Sequence, residues 1–431
     1  MFSLRRVFLK SVKVRDLEKV DPSKPIILAP NHQNALLDAL LVTTSLKQQP
    51  VFLTRADIFE KPLIFAILRY FKMIPVYRIR DGYDSLKKNE EIFDQCVKYL
   101  GHGKTLILFP EGNHGDRRHF RPLKKGLARI AFEAEKRNDF NLGLQVIPVG
   151  IDYSDYRKFR STATISFGEP IEMSSLKKAF DENPQKGMRQ LNLKIAKGIE
   201  PHMIEIPWAD DYDSVMQIRH VYSRRYHERI NGKKGLLSIF DSHKKLIDAI
   251  GEWMKENPDK MKSLSSLVKS YFDKLKELKL RDHVVEKSPY SVFGLILKSL
   301  AMIILFPFYV YGLINNYLIF KIPDYFTITR IKDTQFRSSI AYVMAFVVLL
   351  PLLYTIQTII VAIVVKSWWI TLLYLASLIP SGLLAINYSF WFKKLWSRWK
   401  FVVLSSRNHK DIEFLRDSRD SIIKTLDEIT A

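Results

Sequence analysis

The stretch "ILAPNHQNALLDALL", residues 27–41, decides how the first part of the chain is read. Its opening is apolar and β-prone, and Pro30, which lacks an N–H, ends strand pairing. Asn34 is a favoured N-cap, so a helix is expected to start near it and run through "ALLDALLVTT". A strand that turns directly into a helix is the repeating step of an α/β domain. His32 falls in the turn and Asp38 in the first turns of the helix. Within one uninterrupted helix, residues six apart point about 240° away from each other. With His32 in the turn, the chain can instead fold the imidazole back toward the carboxylate. A carboxylate on one imidazole nitrogen fixes the tautomer, and the other nitrogen can then take a proton from a hydroxyl. The plainer alternative is a corner whose polar residues only cap and pack.

Working outward, short β-rich runs recur: "PIILAP" (25–30), "VFLT" (51–54), "MIPVYR" (73–78), "TLILFP" (105–110), "QVIPVGIDY" (145–153) and "ATISFG" (163–168). Helical patterns lie between them. One places Leu86, Ile92, Cys96 and Leu100 near one face, with Gly101 as the expected stop. Another puts Leu123, Leu127, Ile130 and Ala134 on one stripe. The alternation predicts an α/β domain over residues 1–170. Residues 171–287 read as basic and mainly helical, either solvated or lying on an anionic membrane face.

The chain has 431 residues, 67 Lys and Arg against 45 Asp and Glu, and a formal charge of +22. That size requires more than one structural unit. The charge favours acidic partners such as anionic membrane lipid, phosphorylated metabolites or coenzyme A. Nucleic acid is disfavoured, because no zinc spacing or aromatic RNA-binding motif accompanies the basic residues. A single cysteine, Cys96, excludes an intrachain disulfide and suits a reducing compartment. The N-terminal residues lack the apolar run of a signal peptide.

Residues 340–365 and 367–392 carry no charge, and each exceeds the ~20 apolar residues that span a bilayer. Two transmembrane helices are therefore expected within 338–393. Residues 288–322 are apolar but interrupted by Lys298, Pro307 and Asn315-Asn316. Each half around Pro307 would reach only about 22 Å as helix, so a re-entrant or interfacial hairpin is expected there. Lys321, Arg330, Lys332 and Arg337 before the spans, and Lys393, Lys394, Arg398 and Lys400 after them, place both flanks in the cytoplasm. Residues 394–431 then form a cytoplasmic tail, and the catalytic domain lies on the same face.

Further polar residues gather where strands end. Arg78 and Arg80 close one strand. Glu111-Gly112 closes another and leads into Arg117, Arg118, Arg121, Lys124 and Lys125; Gly150 ends a third. Strand carboxyl ends are where open α/β sheets bind ligands. Arginines there suit a phosphate, although a surface salt bridge would explain Arg78 equally well on its own. His114, Asp116 and His119 match no metal-ligand spacing, and the surrounding cations oppose a metal.

Four stretches, "NHQNALLD", "IPVYR", "FPEG" and "VIPVGI", resemble in this order the four motifs of the glycerolipid acyltransferase family, over roughly residues 20–170. Members of that family transfer fatty acyl groups to glycerol 3-phosphate or to lysophosphatidate. The resemblance implies a mixed sheet flanked by helices and an acyl-CoA or acyl carrier protein donor; no metal or cofactor is expected. It implies His32 as general base, Asp38 as its partner, and Arg78, Glu111 and Gly112 as acceptor-binding residues. Two departures stand out. Five residues separate His32 from Asp38 where the family usually has four, a spacing similar to that of some fungal glycerol-3-phosphate acyltransferases. The extra residue is expected to be absorbed in the Gln33-Asn34 turn. The Thr-Arg-Ser that often follows the third motif is replaced by "NHGDRR", so Arg117 or Arg118 is expected to supply that cation. Acylation of another lysolipid or an aminolipid, and a non-catalytic lipid-binding scaffold, remain the competing readings.

Overall fold

The computed structural model describes residues 3–59, 62–77, 83–113, 115, 117–155, 158–230, 233–331, 334–407 and 409–431. The chain forms two compact units, Met1–Pro207 with Asp333–Ser339, and Trp208–Lys332 with Ile340–Ala431.

The first unit contains β1 (Ser11–Arg15), β2 (Ile26–Pro30), α1 (Ala35–Thr43), β3 (Val51–Arg55), α2 (Pro62–Tyr70), β4 (Met73–Val76), α3 (Tyr83–Gly101), β5 (Thr105–Ile107), α4 (Lys125–Lys136), β6 (Gln145–Tyr153), β7 (Thr162–Phe167), β8 (Ile171–Glu172), α5 (Lys177–Glu182) and α6 (Pro184–Ile199). The strands make one mixed sheet in the order β1-β7-β6-β2-β5-β3-β4, with β8 paired to β6. Strands β6, β2, β5, β3 and β4 run parallel to one another; β7 is antiparallel to β6, and β1 parallel to β7. All residues of β2 are buried, as expected of a central parallel strand covered on both faces.

The expected strands are all present. The sequence reading missed β1, "SVKVR", because its charges mask the alternation; it is a half-buried edge strand, where lysine is tolerated. The stop of α3 also differs. Gly101 still lies in the helix, and Gly103 takes the left-handed backbone (φ 68°), with the Lys104 N–H bonded to the Tyr99 carbonyl at 3.0 Å. The unit runs to Pro207 rather than 170 because α6 completes its core: Leu191, Ile195 and Ile199 join Ile27, Val146, Leu127 and Ile130 in one buried cluster. Each such fully buried side chain stabilises the fold by about 1.5–3 kcal/mol. Gly150 on β6 permits a close crossing, since a Cβ there would lie 2.2 Å from the His202 Cβ.

The second unit is helical: α7 (Tyr212–Ile230), α8 (Leu236–Glu256), α9 (Pro258–Glu277), α10 (Asp282–Glu286), α11 (Val292–Arg330), α12 (Thr334–Tyr342, whose residues to Ser339 belong to the first unit), α13 (Leu350–Val365), α14 (Trp368–Arg407) and α15 (His409–Ile429). Among the described residues, three stretches are long and apolar enough to cross a membrane: Val292–Arg330, Phe336–Val365 and Trp368–Arg407. The first corrects the expected hairpin break, for α11 is one helix of 39 residues with Pro307 and Pro323 inside it. Packing against α14 supports it across the proline. The Tyr388 hydroxyl donates to the Met302 carbonyl at 3.0 Å, and the Trp399 indole to the Ser299 hydroxyl at 3.0 Å. Asn315 and Asn316 do not break the helix either. Asn316 accepts from the Tyr354 hydroxyl at 2.6 Å and donates to the Gly312 and Leu378 carbonyls, so it joins three apolar helices.

Candidate active site

The β2-to-α1 corner folds His32 back onto Asp38. Asp38 is 0% exposed, and four donors converge on its carboxylate. Oδ2 accepts from His32 Nδ1 at 2.9 Å, the Gln33 N–H at 2.8 Å and the Asn34 N–H at 2.7 Å; Oδ1 accepts from the Tyr153 hydroxyl at 2.7 Å. A carboxylate can only accept, so Nδ1 carries the proton and Nε2 is the basic nitrogen of the ring. The imidazole is 14% exposed and stacks on Phe109, with ring centroids 3.9 Å apart and planes 20° apart. The expected spacing problem is solved locally. Asn34 has non-helical backbone (φ −137°, ψ 47°), and Ala35 is left-handed at φ 41°. The corner is thus unwound at Asn34 and Ala35, one position later than expected. Because the Gln33 and Asn34 N–H groups bond to Asp38, they cannot also hold a reacting oxyanion.

A second ring of contacts fixes the His32 backbone. Glu111, buried near the start of the loop after β5, accepts the His32 N–H on Oε1 at 2.8 Å. Its Oε2 accepts from Arg121 Nε at 2.8 Å, and Arg121 Nη2 donates to the His32 carbonyl at 2.7 Å. Burial pushes the Glu111 carboxyl up, and the Arg121 charge and the His32 N–H partly offset it. Gly112 makes the turn that follows, with φ 68° and its N–H on the Phe109 carbonyl at 3.1 Å. On the other side, Asn31 bonds both backbone groups of Ile151, at 2.7 and 3.0 Å, so β2 stays joined to β6 beyond Pro30.

The structure therefore brings His32, Asp38, Glu111 and Gly112 together at strand carboxyl ends. Arg118 departs from expectation. It is 1% exposed and turned inward, with Nη1 on the Asp152 carboxylate and Nη2 on the Tyr153 carbonyl, so it does not present a cation to an acceptor. Arg117 is exposed. Arg78 and Arg80 lie outside the described residues, as do His114 and Asp116; His119 faces Glu205 at 3.2 Å. Among the described residues no group of three or more His, Cys, Asp or Glu side chains could hold a metal ion. Sequence reasoning missed Tyr153, Phe109 and Asn31, and did not separate Arg121 from its basic neighbours. Tyr153 closes a strand already identified, but only the antiparallel turn-back of the sheet shows where that strand end points.

The acyltransferase family profile matches residues 11–152, the span that contains this whole constellation except its outer supports. Residues 11–152 belong to the acyltransferase family. Glycerol-3-phosphate O-acyltransferase 1 of Saccharomyces cerevisiae is 27% identical over 258 residues, covering 58% of this chain and 32% of the relative. Glycerol-3-phosphate O-acyltransferase 2 of the same yeast is 28% identical over 251 residues, 56% of this chain and 33% of the relative. The chloroplastic 1-acyl-sn-glycerol-3-phosphate acyltransferase BAT2 of Brassica napus is 27% identical over 139 residues, 32% of this chain and 36% of the relative. The chain thus aligns with about a third of the length of each of these acyltransferases.

Proposed function

We propose that this acyltransferase moves a fatty acyl group from the thioester of acyl-CoA or acyl carrier protein to a hydroxyl of glycerol 3-phosphate or 1-acylglycerol 3-phosphate. The observation that carries the reading is the His32–Asp38 pair, with its proton fixed on Nδ1 at strand carboxyl ends. The named activities of the yeast and plant relatives support the acceptor class. The acceptor hydroxyl gives its proton to His32 Nε2 as its oxygen attacks the thioester carbonyl. The tetrahedral intermediate collapses, the C–S bond breaks, and the imidazolium returns the proton to the departing thiolate. Asp38 stabilises that imidazolium. General base catalysis of this kind contributes on the order of 10²–10⁴-fold, and positioning of two bound substrates at least as much. Arg78 and Arg117 are the proposed phosphate ligands. Glu111, with both oxygens engaged, acts on the acceptor through the His32 backbone.

The test is direct. Protein in lipid nanodiscs is given labelled acyl-CoA or acyl carrier protein with glycerol 3-phosphate, lysophosphatidate and other lysolipids in turn. Transfer to a phosphorylated glycerol acceptor is expected, with His32→Ala at least 10²-fold slower. Arg78→Ala should raise the acceptor KM more than the donor KM. No transfer to any acceptor would favour the scaffold reading, and transfer untouched by His32→Ala would remove the assigned base.

We also propose that the catalytic unit sits on the cytoplasmic face. A compact unit cannot lie on both sides of a bilayer. Asp333–Ser339 belongs with residues 1–207, so the catalytic unit lies on the side where the Phe336–Val365 span begins; Lys321, Arg330 and Arg337 near that end and Lys393, Lys394, Arg398 and Lys400 late in α14 support the cytoplasm for it, with Lys366 at the outer turn. Reporter tags at residue 331 and at the C-terminus should both read cytoplasm; an external tag at 331 sinks this topology.

A further inference from the structure

Helix α1 starts at a corner that its own sequence does not close. Asn34 occupies the N-cap position, yet its side chain makes no capping bond. Ala35 follows with φ 41°, a backbone that L-residues other than Asn and Asp hold only under constraint. The constraint comes from far along the chain. Ser339 Oγ accepts from the Leu37 N–H at 3.3 Å and donates to the Asn34 carbonyl at 3.2 Å. The same N–H also reaches the Asn34 carbonyl at 2.9 Å, so it is shared. Leu37 is the third helical residue, and its N–H is one that an N-cap side chain ordinarily satisfies. Ser339 is 1% exposed and belongs to the same compact unit as α1. Its two bonds land on either side of Ala35.

We infer that Ser339 is a positioning residue for the His32–Asp38 pair: from the segment between α11 and α13 it caps α1 in trans and holds the left-handed turn that returns Asp38 to His32. The inference rests on the proposed acyl transfer only for its catalytic readout. It carries a consequence for the family match, which ends at residue 152 and so does not contain a group that shapes the catalytic corner. The corner is completed only after the chain has passed through α11, one of the three membrane-crossing candidates.

The experiment uses the full chain in nanodiscs, as wild type, Ser339→Ala, Ser339→Thr and Ser339→Ala with Ala35→Gly. Amide hydrogen exchange over residues 33–41 comes first because it needs no substrate. Exchange at Leu37 is expected to be roughly tenfold faster in Ser339→Ala, the size of a lost cap, and close to wild type in Ser339→Thr, which keeps the hydroxyl. Acyl transfer follows. Ser339→Ala should lower kcat roughly five- to tenfold, with both KM values within twofold. Glycine at position 35 should recover part of the loss, because it adopts positive φ without a clip. Unchanged exchange in Ser339→Ala overturns the cap. Faster exchange with unchanged kcat per folded molecule overturns the positioning role. If wild type acylates none of the acceptors, the proposed function fails by itself, and the exchange result still decides whether Ser339 holds the corner.

Discussion

Replacing Asp38 by asparagine removes one charge and almost nothing else, and the size of the effect can be worked from the site. Three donors meet at Oδ2: His32 Nδ1, the Gln33 N–H and the Asn34 N–H, all within 2.9 Å. If the amide nitrogen took that position, three N–H groups would face a donor. Each buried bond lost costs about 1–3 kcal/mol, so the amide is held with its oxygen toward His32 by several kcal/mol. The nitrogen then faces Tyr153, whose hydroxyl can rotate and accept. The imidazole keeps its tautomer. What is lost is the charged character of one hydrogen bond to the developing imidazolium, about 1–2 kcal/mol, or roughly 5- to 30-fold in kcat.

The contrasting outcome is well separated. A change that presents an amide N–H to the imidazole reverses the tautomer and costs about 10⁴-fold. Steady-state acyl transfer, scaled to folded protein by thermal unfolding, distinguishes the two. A loss near 10⁴ in Asp38→Asn would refute the convergence of donors on Oδ2. A kcat within twofold of wild type would refute a role for the carboxylate charge. Asp38→Ala is the wrong variant for this purpose. It leaves two backbone N–H groups and a tyrosine hydroxyl unsatisfied in the interior, and stability and chemistry would fail together.

Other expectations are simpler. Arg118→Met should lower stability by about 3–5 kcal/mol, because Asp152 is left buried without its partner, while acceptor KM per folded molecule stays unchanged; a raised KM at unchanged stability would return Arg118 to the binding site. Cys96 is fully buried on α3, and burial pushes its thiol from 9.0 up to about 12. The folded value exceeds the unfolded one, so this contribution is full below pH 9 and is lost as pH rises toward 12. About 1.4 kcal/mol should be gone at pH 10, and Cys96→Ala should lack that limb in a urea titration against pH. N-ethylmaleimide at pH 8 should label the thiol only on unfolding; labelling of the native protein at the rate of a free thiol would contradict the burial.

What the sequence made legible follows the range of the interactions involved. Strands β2 to β7 announce themselves by local apolar runs, and the His32–Asp38 pair by its place at a strand-to-helix corner. β1 does not, because an edge strand needs only half its side chains inside and can carry Lys13 and Arg15. Among the strand-end cations, the sequence shows charge but not direction. Arg118 and Arg121 are three residues apart, yet one turns under β6 toward Asp152 and the other braces Glu111 against His32. Only the packed sheet separates them. Tyr153 and Ser339 are harder still, since each acts on α1 across more than a hundred residues and each is an ordinary residue in its own segment. The helix at 292–330 fails for a different reason. Proline removes one internal bond, and the packing of α14 along α11 holds the helix together there without leaving a local sign.

The corner also shows why a five-residue spacing can serve the same pair. A regular helix from Asn34 onward gives His32 no route to Asp38, so the backbone must turn back before the helix begins. Ala35 provides the turn in a conformation that costs about 1–2 kcal/mol for a residue with a Cβ. The Asp38 carboxylate offsets this by accepting two backbone N–H groups just before the strained residue, and Ser339 bridges it from outside. Asp38 is therefore at once the partner of the proposed base and the N-terminal anchor of its own helix. Strain at Ala35 persists only while both roles are filled. On this reasoning the pair and the corner cannot be optimised separately: a substitution that relaxes the backbone also frees the imidazole, and one that weakens the carboxylate also loosens the helix start.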